Sequence, residues 1–352
     1  MKRIGIIGCG HIGTVHSYAI RQLSKAGMID AAITAAYDTD PDRSAAMAKH
    51  NNAVAYDSVE ALLDVVDVVW VCTWTAGHLD AVEQAVARGL AIFCEKPLAP
   101  TIADCERLAE LLARVPHQVG LVLRHAPVFR LCADIVQSGE FGRVLTTMFR
   151  DDQYFPIQGM YGSTWRGDRA QAGGGTLIEH SIHDIDLLQW ILGTPTSVRA
   201  STANRYGYEG IEDTAVVTLN YGDTSTATMI SIWHQVLSRG SSRRLEIFCD
   251  DAYIWTEDDY LGPIHIQTAD GVTQRIGELP AWANQLDVPE VYEKSVVQYA
   301  EPAKAFLDGL DAQDGPKFGH PSVIEALAAH HIVDAAYRSA AARGDLQTLR
   351  AL

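Results

Sequence analysis

The run Gly8-Cys9-Gly10-His11-Ile12-Gly13 follows an apolar stretch, Ile4-Gly5-Ile6-Ile7, and opens an amphipathic segment near Ile12–Leu23. Gly8 permits a tight turn out of a strand. Gly10 lets backbone come close to a bound group, and Gly13 lets a helix pack against the strand it has just left. Glycine-rich turns are common, so the motif is informative only at a first strand-to-helix turn, which is where it stands. A chain that starts this way is constrained to βαβ units, right-handed crossovers and a parallel sheet.

The next hundred residues fit that constraint. Strands are expected over Arg3–Gly8, Ala31–Tyr37, Val66–Thr73, Ala91–Glu95 and Gln118–Leu123. Helices are expected near Pro41–Lys49, Ser58–Leu63, Leu79–Arg88 and Thr101–Arg114. The nearly continuous run Val65-Val66-Asp67-Val68-Val69-Trp70-Val71 suits a strand covered on both faces. After residue 124 the rhythm changes. A helix at Val128–Ser138 and one continuous helix from Thr176 to Ile191 precede strands at Val198–Asn204, Thr214–Tyr221, Thr226–Trp233, Arg244–Phe248 and Ile264–Thr268. Helices near Glu290–Leu307 and Ser322–Ala342 close the chain. The expected fold is an α/β Rossmann domain (a doubly wound parallel sheet) over 1–123, followed over 124–352 by an α+β domain with a large, mainly antiparallel sheet. The closing helices belong to the second domain or pack back on the first.

Charge narrows the partners. A net charge of −16 over 352 residues repels nucleic acid and anionic membrane. No apolar run approaches the ~18 residues of a membrane span. The start Met1-Lys2-Arg3 through Cys9 superficially resembles a lipoprotein signal, but its apolar stretch is shorter than the ~7–15 residues of a signal core. The six cysteines have neither CxxC nor zinc spacing, so reduced thiols in a cytoplasm are expected.

Free N–H groups and the helix dipole at the glycine turn favour a pyrophosphate. Asp38, at the end of the next strand, can accept from both hydroxyls of a ribose; it can equally be a turn residue before Thr39-Asp40-Pro41. A carboxylate there repels a 2′-phosphate and favours NAD over NADP, while Arg43, one helical turn on, can soften the preference. Ligands of open α/β sheets bind beyond the carboxyl ends of the strands. Lys96, in Glu95-Lys96-Pro97, stands at such an end and can stabilise a developing alkoxide; a solvated charge is the plain alternative. A second cluster runs from Gly173-Gly174-Gly175 to Asp186. On one helix, Glu179, His183 and Asp186 share a face, and His180 and Asp184 form a neighbouring stripe. An imidazole oriented by a carboxylate is the minimum for proton transfer near neutrality. A capped surface helix, or a metal held by His180, His183 and Asp184, are the alternatives; no metal is expected.

These segments, with Cys72-Thr73, His78, Arg124-His125-Ala126-Pro127, Trp165-Arg166 and Glu212-Asp213, resemble the glucose–fructose oxidoreductase/inositol dehydrogenase/MocA family along nearly the whole chain. The resemblance implies that Lys96 and His183 act on substrate. Glu179 stands where that family often has aspartate, and Thr73-Trp74-Thr75 where it often has Thr-Pro-Asn. It implies a nicotinamide cofactor held by Gly8, Gly10, His11, Ile12, Gly13, Asp38, Arg43, Thr73, His78, Glu95 and Lys96; Trp74, which departs from the family pattern, is expected to pack on the cofactor or substrate. It implies a sugar, glycoside or inositol-like polyol against Lys96, Arg124, His125 and His183; the aromatic and polar Tyr154, Trp165, Arg166 and Trp233 are candidate wall residues by their chemistry, and His180, unusual for that family, is a further candidate substrate contact. The expected chemistry is hydride transfer between NAD and a secondary alcohol or ketone, in a homodimer or homotetramer built on the second-domain sheet. A keto-sugar reductase running the other way and a non-catalytic NAD-binding sensor are the competing readings.

Overall fold

The computed structural model describes residues 1–158, 162–236, 238, 240–311 and 320–349. Its residues fall into two compact units, 1–122 with 280–327, and 123–279 with 328–352.

In the first unit a six-stranded parallel sheet has the order β3-β2-β1-β4-β5-β6, with β1 Lys2–Ile7, β2 Ala31–Tyr37, β3 Val54–Ala55, β4 Val68–Val71, β5 Ala91–Cys94 and β6 His117–Val119. The helices between them are α1 His11–Lys25, α2 Pro41–Asn51, α3 Val59–Leu63, α4 His78–Ala87 and α5 Ile102–Leu112. β4 and β5 are buried at every position, which explains their unbroken apolar character. Asp40, Ser58 and Thr101 cap α2, α3 and α5 by accepting a backbone N–H of the first turn. The run after Gln118 is shorter as a strand than its apolarity predicts, because the chain turns into a 3₁₀ segment at Val122–His125. Residues 280–327, which include α10 Glu290–Asp311, group with this unit. Trp70 stacks on Phe93, and Phe306 of α10 meets both rings. The helix α11 Val323–Ala341 begins in this unit and ends in the other.

The second unit holds α6 Pro127–Ser138, β7 Val144–Tyr154, α7 Arg169–Ala172, α8 Thr176–Glu179, α9 Ile182–Leu192, β8 Ser197–Ala203, β9 Thr214–Tyr221, β10 Ser225–His234, β11 Ser242–Cys249, β12 Tyr253–Thr256, β13 Ile264–Thr268, β14 Gly271–Arg275 and β15 Gln347–Thr348. Its nine-stranded sheet has the order β14-β13-β12-β11-β7-β10-β9-β8-β15. Among the described residues of this sheet only the β7–β10 pairing is parallel. The central strand β7 does not read as a strand in the sequence. It carries Arg150, Asp151 and Asp152, and both aspartates are buried, at 1% and 2% exposure. Among the described residues no helix is long and apolar enough to cross a membrane.

Candidate active site

The glycine turn has the geometry its residue types dictate. Gly8 has φ +93°, and a Cβ there would fall 2.5 Å from the Cys72 carbonyl. A Cβ on Gly13 would fall 2.1 Å from the Gly8 oxygen, whereas Gly10 faces open space. Gly10 is the N-cap of α1 and no side chain caps that end, so the first-turn N–H groups are left for an anion. His11 is exposed and Ile12 half-buried beside them. These features fit a dinucleotide pyrophosphate.

Asp38 is tied to this turn. Its Oδ2 accepts the Cys9 N–H at 2.7 Å and its Oδ1 accepts the Asp40 N–H at 2.9 Å. It is thus a turn residue, and each oxygen keeps a second lone pair directed elsewhere. Arg43 lies 3.3 Å from Asp40 in an exposed ion pair.

Beyond β5, Glu95 is 4% exposed. Its Oε1 lies 2.7 Å from His16 Nε2, and its Oε2 accepts the Lys96 N–H at 3.1 Å. Burial disfavours its charge, but the hydrogen bond and charge of His16 and the nearby Lys96 hold it below the usual carboxylate range. Gly120 closes the pocket: a Cβ there would fall 2.5 Å from Oε1. Glu95 therefore fixes the backbone of the half-buried Lys96, both of its oxygens being engaged within the protein. His78 is also engaged within the protein. It is 1% exposed, with Nδ1 at 2.9 Å from the Pro97 oxygen and Nε2 at 3.2 Å from the Thr73 oxygen. It pins the β4 loop to the Lys96-Pro97 turn, and burial lowers its pKa. Thr73 donates to the Trp74 oxygen, and Trp74 presents its ring, 37% exposed.

In the second unit the expected continuous helix is broken. α8 ends at Glu179, and Ser181 N–H reaches back five residues to the Thr176 oxygen before α9 begins at Ile182. The Ser181 hydroxyl donates to Asp151 at 2.9 Å and meets Ser231 at 2.6 Å, so tertiary bonds replace the helical ladder. Glu179 and His183 consequently do not share one continuous helical face. Glu179 is ion-paired with Arg166, which also reaches Ser163 and lies over the Trp165 ring, 4.4 Å from its centroid. The start of α8 is occupied: Glu212 accepts the N–H groups of Gly175 and Leu177 at 2.8 and 2.9 Å and the Tyr337 hydroxyl at 2.9 Å. Gly174 and Gly175 are required because a Cβ would strike Tyr337 or the Glu212 backbone.

His183 opens α9, 7% exposed, with its ring 6.5 Å from that of His180 and edge-on to it. His180 Nε2 lies 2.7 Å from Arg243 Nη2, and Arg243 Nε donates to Asp184 at 2.8 Å. Burial, then the neighbouring Asp151, push Asp184 up to about 7. Burial works against the Arg243 charge, but Asp151, Asp184 and Asp259 more than restore it. His180 and Asp184 thus face a guanidinium. Among the described residues no cluster of three or more His, Cys, Asp or Glu can hold a metal ion.

Several expected substrate contacts are structural. Arg124 is 4% exposed and makes a two-pronged ion pair with Asp186, both bonds 2.7 Å. His125 is equally buried, with Nδ1 3.1 Å from Arg130. Trp233 is 2% exposed in a core with Phe155, Ile157, Ala172 and Ile211, against which Trp165 packs. Tyr154 is half-buried, its ring edge-on to His234. The sequence reading missed His16, Asp151 and Arg243. Charged pairs toward the end of β7 and at the start of β11, Asp151-Asp152 and Arg243-Arg244, were the available signal.

Family models match both parts of the chain: the oxidoreductase family with an NAD-binding Rossmann fold over residues 2–122, and the GFO/IDH/MocA C-terminal domain over residues 129–255. The chain belongs to the Gfo/Idh/MocA oxidoreductase family. Inositol 2-dehydrogenase of Rhizobium meliloti (strain 1021) is 28% identical over 355 residues, covering 96% of this chain and 97% of that protein. The rhizopine catabolism protein MocA of Rhizobium meliloti is 25% identical, covering 81% and 90%. Levoglucosan dehydrogenase, solved with NADH and L-sorbose, superimposes with a TM-score of 0.86 at 19% identity, covering 100% of this chain and 99% of that one; that likeness is one of fold. As a member of this family the chain is an NAD-binding oxidoreductase.

Proposed function

We propose that this Gfo/Idh/MocA member oxidises a secondary alcohol of a cyclic polyol or sugar, inositol-like in shape, to the ketone. The observation that carries the reading is the anchoring of its two candidate groups. Lys96 follows a buried carboxylate tied to His16, and His183 opens α9 beside the Arg243 network. The match to an inositol 2-dehydrogenase along nearly the whole chain supports the polyol class.

NAD, when bound at the glycine turn, supplies the hydride acceptor. Asp38 holds that turn and offers its remaining lone pairs to the ribose, and Trp74 covers the cofactor or substrate. His183 takes the hydroxyl proton as the carbinol hydride departs, and Lys96 stabilises the oxygen as its charge develops. Glu179 holds Arg166, and Tyr154, Trp165, Arg166 and His180 complete the wall around the polyol. Lys96→Met and His183→Ala are each expected to slow turnover ~10²–10⁴-fold while NAD binding persists. The double variant should lose less than the product of the two, since both groups act on one oxygen. The assay is NADH formation over a panel of inositols, aldoses and glycosides; near-wild-type turnover in His183→Ala would refute the assignment.

A homodimer or homotetramer built on the nine-stranded sheet is part of the same proposal. Leu145 and Met148 of β7 are 46% and 42% exposed. Phe248, Tyr253, Trp255 and His265 stack in a ladder across β11, β12 and β13. A stable monomer in sedimentation would refute it. Six buried, unbridged thiols suit a cytoplasmic setting.

A further inference from the structure

Asp151 on β7 and Asp184 on α9 are 1% and 0% exposed and within hydrogen-bonding reach of each other. Each keeps one oxygen on partners elsewhere. Asp151 Oδ2 accepts from Ser181 Oγ at 2.9 Å, and Asp184 Oδ1 accepts from Arg243 Nε at 2.8 Å. The other two oxygens, Asp151 Oδ1 and Asp184 Oδ2, are buried with no other hydrogen-bond donor. Two ionised carboxylates so placed repel each other and leave two buried oxygens unsatisfied; a single proton on the pair removes the repulsion.

The groups facing the pair restrict where that proton can reside. Arg243 is a permanent donor. Its Nη2 lies 2.7 Å from His180 Nε2 and 3.6 Å from Asp151 Oδ2, and its Nη1 lies 3.3 Å from the half-exposed Asp259. His180 Nε2 is also 3.2 Å from Asp151 Oδ2, a contact that would favour a proton on that nitrogen. The shorter contact decides, because a protonated Nε2 would meet the guanidinium donor-to-donor and cation-to-cation. Nearby on the same sheet, Asp152 is engaged separately by Arg150 at 3.0 Å and His234 at 3.3 Å. Ser181, Ser231 and Thr176, all buried, continue the network as a hydroxyl chain with contacts of 2.6 and 2.7 Å.

We propose that Asp151 and Asp184 hold a single proton between them, and that this shared proton, acting through Arg243, keeps His180 a neutral imidazole protonated on Nδ1 beside His183. The pair then carries one negative charge rather than two against the one positive charge of Arg243, which also meets the half-exposed Asp259, so the buried side of the network presents a balanced ion pair to an uncharged, hydroxyl-rich ligand. The two aspartates and Arg243 are positioning residues. Asp184 loses its proton near neutrality, because burial and the neighbouring Asp151 oppose its charge. That loss puts a second negative charge beside Arg243 and His180 and changes the hydrogen-bonding character of the wall.

Two measurements on the intact protein test this without substrate. Infrared absorption with ¹³C-labelled aspartate should show a protonated-carboxyl carbonyl band at about pH 6 that decays through neutrality, and Asp184→Asn should abolish it. Asparagine mimics the protonated acid, accepting from Arg243 and donating to Asp151, so the fold should survive. Nitrogen-15 NMR of labelled histidines, with His180 identified by His180→Gln, should show the Nδ1–H tautomer in the same range. No labelled acid band at about pH 6 in the wild type, or a cationic or Nε2-protonated His180 there, overturns the proposal; neither reading requires any variant other than the one used for assignment. A third arm rests on the polyol reading above: KM should rise through neutrality in the wild type and stay flat in Asp184→Asn. Failure of that arm alone, with the spectra as expected, counts against the polyol reading and leaves the shared proton standing.

Discussion

Glu95→Gln isolates the buried anchor under Lys96 with almost no change in volume. In the native protein two donors converge on two carboxylate oxygens, His16 Nε2 at 2.7 Å and the Lys96 N–H at 3.1 Å. A carboxamide offers one acceptor and one NH₂ group. If the NH₂ faces the Lys96 N–H, two donors collide. If it faces His16, the imidazole must move its proton to Nδ1, which is buried with no hydrogen-bond partner. The substitution therefore weakens a charge-assisted bond by about 1 kcal/mol and strands a buried N–H at ~1–3 kcal/mol, a destabilisation of about 2–4 kcal/mol. At ~2–4 °C per kcal/mol for a unit of this size, calorimetry should show the first unit melting ~5–15 °C earlier. Turnover should fall as well, since the acceptor under the Lys96 N–H loses its charge and its tie to His16, and the double variant Glu95→Leu/His16→Leu should melt higher than Glu95→Leu alone. Unchanged melting together with unchanged turnover in Glu95→Gln would refute the anchor.

Asp38→Ala should narrow the preference for NAD over NADP and weaken NAD as the Cys9 N–H loses its acceptor; titration of both cofactors decides, and tighter NADP binding by the wild type would refute the reading. Arg124→Ala should destabilise the second unit by ~3–5 kcal/mol, because it leaves Asp186 charged and buried; a small loss, read by denaturant unfolding, would return Arg124 to the substrate contacts. Burial lowers the pKa of His78 and His117 below the ordinary imidazole value. The unfolded chain then binds more protons as pH falls below about 6.5, so stability should decrease on acidification through that point and be insensitive to these two groups above it. Replacing His117 with Asn should flatten part of this slope in melting curves taken against pH.

Local chemistry determined the first unit. The turn at Gly8–Gly13, the Val-rich β4 and the helix caps at Asp40, Ser58 and Thr101 each state their conformation within a few residues, and a buried parallel strand needs apolar side chains at every position. Lys96 and His183 were legible because motifs and family resemblance place them. Long-range contacts decided the rest. β7 is hidden in the sequence because its buried positions hold Asp151 and Asp152, and only the arrival of Arg243 from β11, Arg150 from the strand itself and Ser181 from the helix break makes those charges tolerable. The break between α8 and α9 has the same origin. No proline or glycine marks it, since Ser181 leaves the helical ladder to bond groups on β7 and β10, and a periodicity argument follows the ladder straight through. Arg124, His125, His78 and Glu95 look like binding groups in one dimension because charge and imidazole usually remain in water. Whether a buried charge finds its partner depends, for Arg124 and Glu95, on residues tens of positions away, and only the folded chain brings Asp186 and His16 into place beside them.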